Sequence, residues 1–152
     1  MPPLQFGQWH SWHRRGQIVG RTNPGIYAYS VTLKSLEGTQ VDWIDVSYIG
    51  KSVGKGGMNT RWSELHRCIT GGAGNGPGKR MYAAFGIYSK WSLNLFVAAL
   101  PIDGTWMDLR AEDTLKFGWV AYLEYEAISE FGKKAHKRRP YYNTSLMLSD
   151  RK

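Results

Sequence analysis

A chain of 152 residues has the length of one domain built around one buried core. Its 42% hydrophobic and 14% aromatic content excludes a disordered chain. Twenty Lys and Arg against twelve Asp and Glu leave a formal charge of +8 and a pI of about 9.7, which favours polyanionic partners, nucleic acid before anionic membrane.

Residues 1–20 are rich in Trp, His and Arg without a clear period, so residues 1–23 read as an N-terminal arm ahead of a domain over 24–152. The opening MPPLQFGQWHSWHRR has no apolar signal core, and the longest apolar stretch, 95–102, falls short of the ~20 residues of a membrane span. Cys68 is the single cysteine, which excludes an intrachain disulfide and a cysteine-rich zinc site. His10 and His13 have no Cys or acidic neighbour to complete a zinc site either. A cytoplasmic chain with no membrane partner is expected.

After Pro24, GIYAYSVTL (25–33) has the β-branched and aromatic content of a strand. Residues 34–40 read as a hairpin connection and VDWIDVSYIG (41–50) as the second strand. Gly54, Gly56 and Gly57 precede a helix over 59–69, with Asn59 or Thr60 as its cap. TGGAGNGPGKR (70–80) reads as a loop, followed by a short helix over 79–88. WSLNLFVAAL (91–100) alternates as a third strand, and 110–131 carry a helical period with Gly118 as a candidate interruption. This order predicts an α+β fold: a small antiparallel three-stranded sheet flanked by helices.

Gly25-Ile26-Tyr27 and Tyr48-Ile49-Gly50 resemble the two name-giving motifs of the GIY-YIG nucleases. Either tripeptide is weak by itself, since Gly86-Ile87-Tyr88 repeats the first inside a helical pattern. The ordered set is more specific. Lys51 follows YIG, Arg61-Trp62 lie on the next helix, Glu124 lies on the late helix, and Pro140-Tyr141-Tyr142-Asn143 is similar to the family's terminal Pro-x-Tyr-Asn. The resemblance spans 24–143 and implies a DNA endonuclease that leaves 5′-phosphate ends. It also implies that one carboxylate holds a single divalent cation, Mg²⁺ with Mn²⁺ as a substitute, whose shell is completed by water and phosphate oxygens.

Val120, Leu123, Ala127 and Phe131 define the buried stripe of the late helix, and Glu124 sits at its edge. A carboxylate beside a core needs compensation, which a metal provides; the alternative is a structural carboxylate paired with an arginine. Glu126 neighbours Tyr122, Ser129 and Glu130 on a solvated face and is the reserve candidate. Arg61 has the planar charged fork that suits phosphate in the transition state, or else binds DNA from the helix surface. Tyr27 is the expected general base and Tyr48 positions water or phosphate, with Lys51 and Arg61 as sources of positive charge; ordinary strand packing is the alternative for both tyrosines. Asn143 is expected to fix the site through hydrogen bonds. His66 lies five residues after Arg61, not four as in some family members, which turns it by ~100° and leaves a site residue or a surface histidine equally open.

Arg14, Arg15, Lys79, Arg80, Lys133, Lys134, Lys137, Arg138 and Arg139 are the candidate DNA contacts. The wide spacing of Tyr27 and Tyr48 resembles the restriction-endonuclease branch, and a homodimer on DNA is compatible with so short a chain. Gly50-Lys51-Ser52 and Gly78-Lys79 lack the upstream glycine of a P-loop, which excludes nucleotide triphosphatase chemistry. The competing reading is a catalytically silent DNA- or RNA-binding module that keeps the basic face and exposed aromatics.

Overall fold

The computed structural model describes residues 1–74, 76–103, 111–135 (side chains from 114) and 140–143. The fold is α+β. Four strands, β1 (His10–Ser11), β2 (Gly25–Val31), β3 (Tyr48–Ser52) and β4 (Leu95–Pro101), form one antiparallel sheet in the order β1-β4-β2-β3. Three helices accompany it: α1 (Gly57–Ile69), α2 (Gly76–Phe85) and α3 (Ala111–Ala135).

The expected three strands are therefore four, and the additional one comes from the arm. His10 and Ser11 pair with Val97 and Phe96 of β4. The arm is held there by Trp9 and Trp12, both fully buried on opposite sides of the sheet. Burying an indole removes on the order of 150–250 Å² from water, at most ~4–6 kcal/mol at ~25 cal/mol per Å². Ordering the backbone costs ~1–2 kcal/mol per residue, so two such anchors hold a short segment in place. A two-residue strand has too few positions to display a period, which is why the sequence pattern missed it. Trp9 also exchanges backbone hydrogen bonds with the β2–β3 connection, accepting from Gly38 (2.8 Å) and donating to Thr39 (3.0 Å).

The second strand is shorter than expected. Residues 43–45 form a 3-10 turn, with the Asp42 side chain accepting from Ile44 N (3.3 Å), and pairing begins only at Tyr48. The connection still contributes Leu36 and Val46 to the core.

Helix α1 starts before the anticipated caps. The N–H groups of Met58 and Asn59 donate to the carbonyls of Asn23 (3.1 Å) and Arg21 (2.7 Å), so backbone replaces a side-chain cap. Gly57 makes this approach possible: its φ is +62°, and a Cβ there would collide with the Thr22 and Asn23 backbone. Helix α2 starts inside the anticipated loop and stops at Gly86, whose φ is +75°. Helix α3 runs through Gly118 without interruption. No helix among the described residues is long and apolar enough to cross a membrane.

Alternation along the strands divides the core. Ile26, Ala28, Ile49, Phe96 and Ala98 face α3, where Val120, Leu123, Ala127 and Phe131 are buried against them. Tyr27, Tyr29, Val97 and Ala99 face α1, which buries Met58, Trp62, Leu65 and Ile69 at helical spacing.

Candidate active site at the edge of the sheet

Strand β3 is the edge of the sheet, and the candidate residues gather around it. Tyr27 stands opposite Gly50, and Tyr29 opposite Tyr48. A Cβ at Gly50 would come within 2.6 Å of the Tyr48 ring and 2.7 Å of the Tyr27 ring. The glycine of the YIG tripeptide is thus the space into which both phenol rings lean. The Tyr27 ring centroid lies 6.3 Å from Tyr48 and 5.2 Å from Tyr29, while Trp62 of α1 meets it edge-on at 6.1 Å.

Glu124 approaches from the other face. Lys51, opposite Ile26 in β3, reaches its carboxylate at 3.4 Å. No strand among the described residues lies beyond β3, and charges from both faces act on the same two phenols. Burial pushes Tyr27 well above its usual value and Tyr48 raises it further, while Arg61 and hydrogen bonding from Tyr29 pull the other way. Tyr48 is raised by burial and by Glu124, against the lowering influence of Arg80 and Arg61. Burial also raises the Glu124 carboxyl, with the Lys51 ammonium opposing it. Tyr27 and Tyr48 are therefore within electrostatic reach of each other, of Arg61 and of Glu124, and Glu124 in turn is met by Lys51. Burial outweighs the cations at Tyr27, so its phenol is held neutral.

Arg61 itself is exposed and pairs with Glu64 at 3.2 Å. Its guanidinium is free to exchange that exposed pair for a stronger anion, since such surface pairs contribute only ~0–1 kcal/mol. Asn143 is buried and bonds to both backbone groups of Ile49: its Oδ1 accepts from Ile49 N (2.8 Å) and its Nδ2 donates to Ile49 O (2.6 Å). Tyr142 N donates to Ser47 O (2.8 Å), and the Arg80 guanidinium donates to the Tyr142 carbonyl. The segment 140–143 thus packs along the edge that carries Tyr48, and the Tyr142 ring is buried in the same cluster as Tyr27 and Tyr29.

His66 points elsewhere. Its Nδ1 accepts from the Trp12 indole N–H at 3.1 Å, and Tyr88 meets its ring edge-on at 5.5 Å. Tyr29 lies between this group and Tyr27, in edge contact with Trp12 at 5.7 Å. Tyr29 and Trp12 are neighbours absent from the motif set of the sequence, which includes Trp62. Tyr29 was recoverable, because residues two apart in a strand share a face. Trp12 was not, because only the tertiary fold brings the arm to α1.

Among the other candidate cations, Arg14 pairs with Glu37 (3.4 Å) and Lys133 with Glu130 (3.4 Å), while Lys79 and Lys134 are exposed. Arg15 stacks on Trp12. Lys137, Arg138 and Arg139 lie outside the described residues. Glu126 is partly exposed and has no ion-pair partner among the described residues.

No cluster of three or more ligating side chains occurs among the described residues, and the carboxylate that this edge offers is Glu124. A single, largely buried carboxylate suits Mg²⁺, which keeps several waters and takes one or two carboxylates. Lys51 is its one ion-pair partner among the described residues, and that side chain is 39% exposed. No family model, curated protein or solved structure matches the chain.

Proposed function

We propose that this chain is a Mg²⁺-dependent DNA endonuclease of the GIY-YIG type, hydrolysing phosphodiester bonds. One observation carries the reading: a carboxylate, two phenols and a guanidinium, from α3, β2, β3 and α1, converge on one sheet edge of a chain with charge +8. Phosphodiester hydrolysis requires an activated water, compensation of charge on the phosphoryl oxygens and help for the leaving oxygen.

Glu124 would hold the cation, which supplies a Lewis acid for the phosphate and the added positive charge that the neutral Tyr27 phenol lacks. With that charge beside it Tyr27 would give up its own proton to solvent and, as the phenolate, take the proton of the attacking water. The bond from phosphorus to the leaving oxygen would break, that oxygen would take a proton from solvent, and Tyr48 would hold the water or a phosphate oxygen in place. Arg61 turns from Glu64 to the phosphoryl oxygens. Lys51, released from Glu124, becomes a second cation at the phosphate. Asn143 keeps β3 in register so that Tyr48 stays beside Tyr27.

A catalytically silent DNA- or RNA-binding module has no use for a buried carboxylate beside two phenols, since that charge repels the nucleic acid it binds. Incubating pure protein with supercoiled, branched and single-stranded DNA, with Mg²⁺, Mn²⁺ or EDTA, separates the two. Metal-dependent nicking or linearisation with 5′-phosphate ends is the expected result. Salt-sensitive binding with no cleavage under any of these conditions identifies the silent module.

A further inference from the structure

Arg15, His66 and Tyr88 come from three separate segments, the 3-10 turn 12–17, α1 and the turn 88–90, and meet around Trp12. The Arg15 guanidinium lies 4.4 Å above the Trp12 ring and donates from Nη1 to the Trp12 carbonyl at 3.0 Å. It is partly buried, and no carboxylate pairs with it among the described residues. Desolvation lowers its pKa from the usual value, and its charge is felt by Tyr29, Tyr88 and His66. A desolvated cation without a counter-ion is costly, and a bound anion removes that cost.

His66 offers the second half of the site. An indole N–H only donates, so the Nδ1 that accepts from Trp12 must carry a lone pair. The neutral ring then bears its proton on Nε2. Burial, and secondarily the charge of Arg15, lower the His66 pKa from 6.5, which keeps the ring neutral at physiological pH. The Nε2–H is a donor with no hydrogen-bond partner among the described residues. Arg15 and Tyr88 are the charged and titratable groups facing this ring, with Tyr29 behind Trp12.

We infer that Arg15 and the Nε2–H of His66, flanked by Tyr88, form a second phosphate subsite, for a phosphodiester of the same DNA whose scissile phosphate meets Tyr27 and Glu124, and that Trp12 is the positioning residue that sets the His66 tautomer. The inference rests on the endonuclease reading. It gives the N-terminal arm a part in substrate binding, and the run of ring contacts from Trp12 through Tyr29 to Tyr27 sets the subsite beside the chemistry.

The test uses the full chain, a labelled random-sequence duplex in EDTA for binding, and plasmid cleavage with Mg²⁺. Arg15→Gln keeps a donor for the Trp12 carbonyl and removes the charge. Its log affinity should depend on log salt with a slope shallower by ~0.9, one phosphate contact, and Arg15→Lys should restore the slope. Cleavage by Arg15→Gln should show a raised KM with kcat retained, the mark of lost uniform binding. Ring ¹⁵N NMR of the unaltered protein should show the Nε2–H tautomer of His66, and adding duplex in EDTA should shift the Nε2 resonance. In Trp12→Phe the tautomer preference should be lost. A wild-type salt slope in Arg15→Gln, or an Nε2 resonance unmoved by saturating duplex, overturns the subsite. If the unaltered protein binds and cleaves DNA in those cases, the endonuclease reading survives; if it neither binds nor cleaves, both fall.

Discussion

The α3 face of the sheet is packed with aliphatic side chains together with Phe6, Trp9, Phe96 and Phe131, and among the described residues the ion pair at its β3 margin is Glu124 with Lys51. The α1 face adds polar rings to its aliphatic packing: Tyr27, Tyr29 and Tyr48 of the sheet against Trp12, Trp62 and, at the rim, His66. Both faces exclude water, yet they do so with different chemistry. Aliphatic packing maximises buried area and carries no proton to move. Ring packing keeps hydroxyl, indole and imidazole groups inside the core, where each needs a partner and each responds to nearby charge. Both faces bury a core of similar size, but the titratable rings gather on the α1 face, and the Glu124–Lys51 pair borders the α3 face where the sheet ends.

The sharpest way to break that division is Glu124→Gln, which keeps size and shape and removes the charge. Metal-dependent cleavage should fall by at least ~10²–10³, to background, while duplex binding in EDTA stays the same or tightens slightly. Glu126→Gln, on the same helix, should leave turnover unchanged. Activity retained in the first and lost in the second would move the metal anchor and dissolve the picture of the α3 margin.

Tyr27→Phe probes the other face. The ring and its contacts with Trp62 and Tyr29 remain, so thermal stability should hold while cleavage drops by ~10²–10⁴. An equal loss of stability and activity would make Tyr27 a packing residue only. Leu123→Ala is the converse. Leu123 is fully buried, so unfolding free energy should fall by ~2–5 kcal/mol in denaturant titrations, with turnover per folded molecule preserved.

The smallest effect concerns pH. Burial raises Tyr27 and Tyr29 well above the ordinary value of 10.0. A group whose folded pKa is raised contributes stability that is fully present below its unfolded pKa and is lost as pH climbs toward the folded one. Stability should therefore decline above about pH 10, with tyrosinate absorbance appearing as the chain unfolds. Tyr29→Phe should make that decline shallower. An unaltered alkaline slope would place the phenols in contact with water, against the buried α1 face.

The late helix was legible because its stripe, Val120, Leu123, Ala127 and Phe131, repeats at a period that any 25-residue helix must show. Position 124 at the margin of that stripe followed from the same arithmetic. The glycine-tyrosine pattern was legible as a pattern, but its reason was not: Gly50 is empty so that two rings from two strands share its space.

What the sequence determined by itself was local and periodic: the helical stripes, the central strand and the basic charge. These depend on neighbours within a turn or a pleat. Gly118, by contrast, read as an interruption, lies inside a continuous helix, and Gly86, read as helical, is where α2 stops. Everything that depends on register between distant segments was decided by the tertiary structure. Pairing of His10–Ser11 with β4, the turn of Trp12 toward His66, the clasp of Asn143 on Ile49 and the reach of Lys51 to Glu124 each join residues that share no period. Their geometry follows from how two core faces close over one sheet, and no arrangement of residues along the chain specifies that until the faces have met.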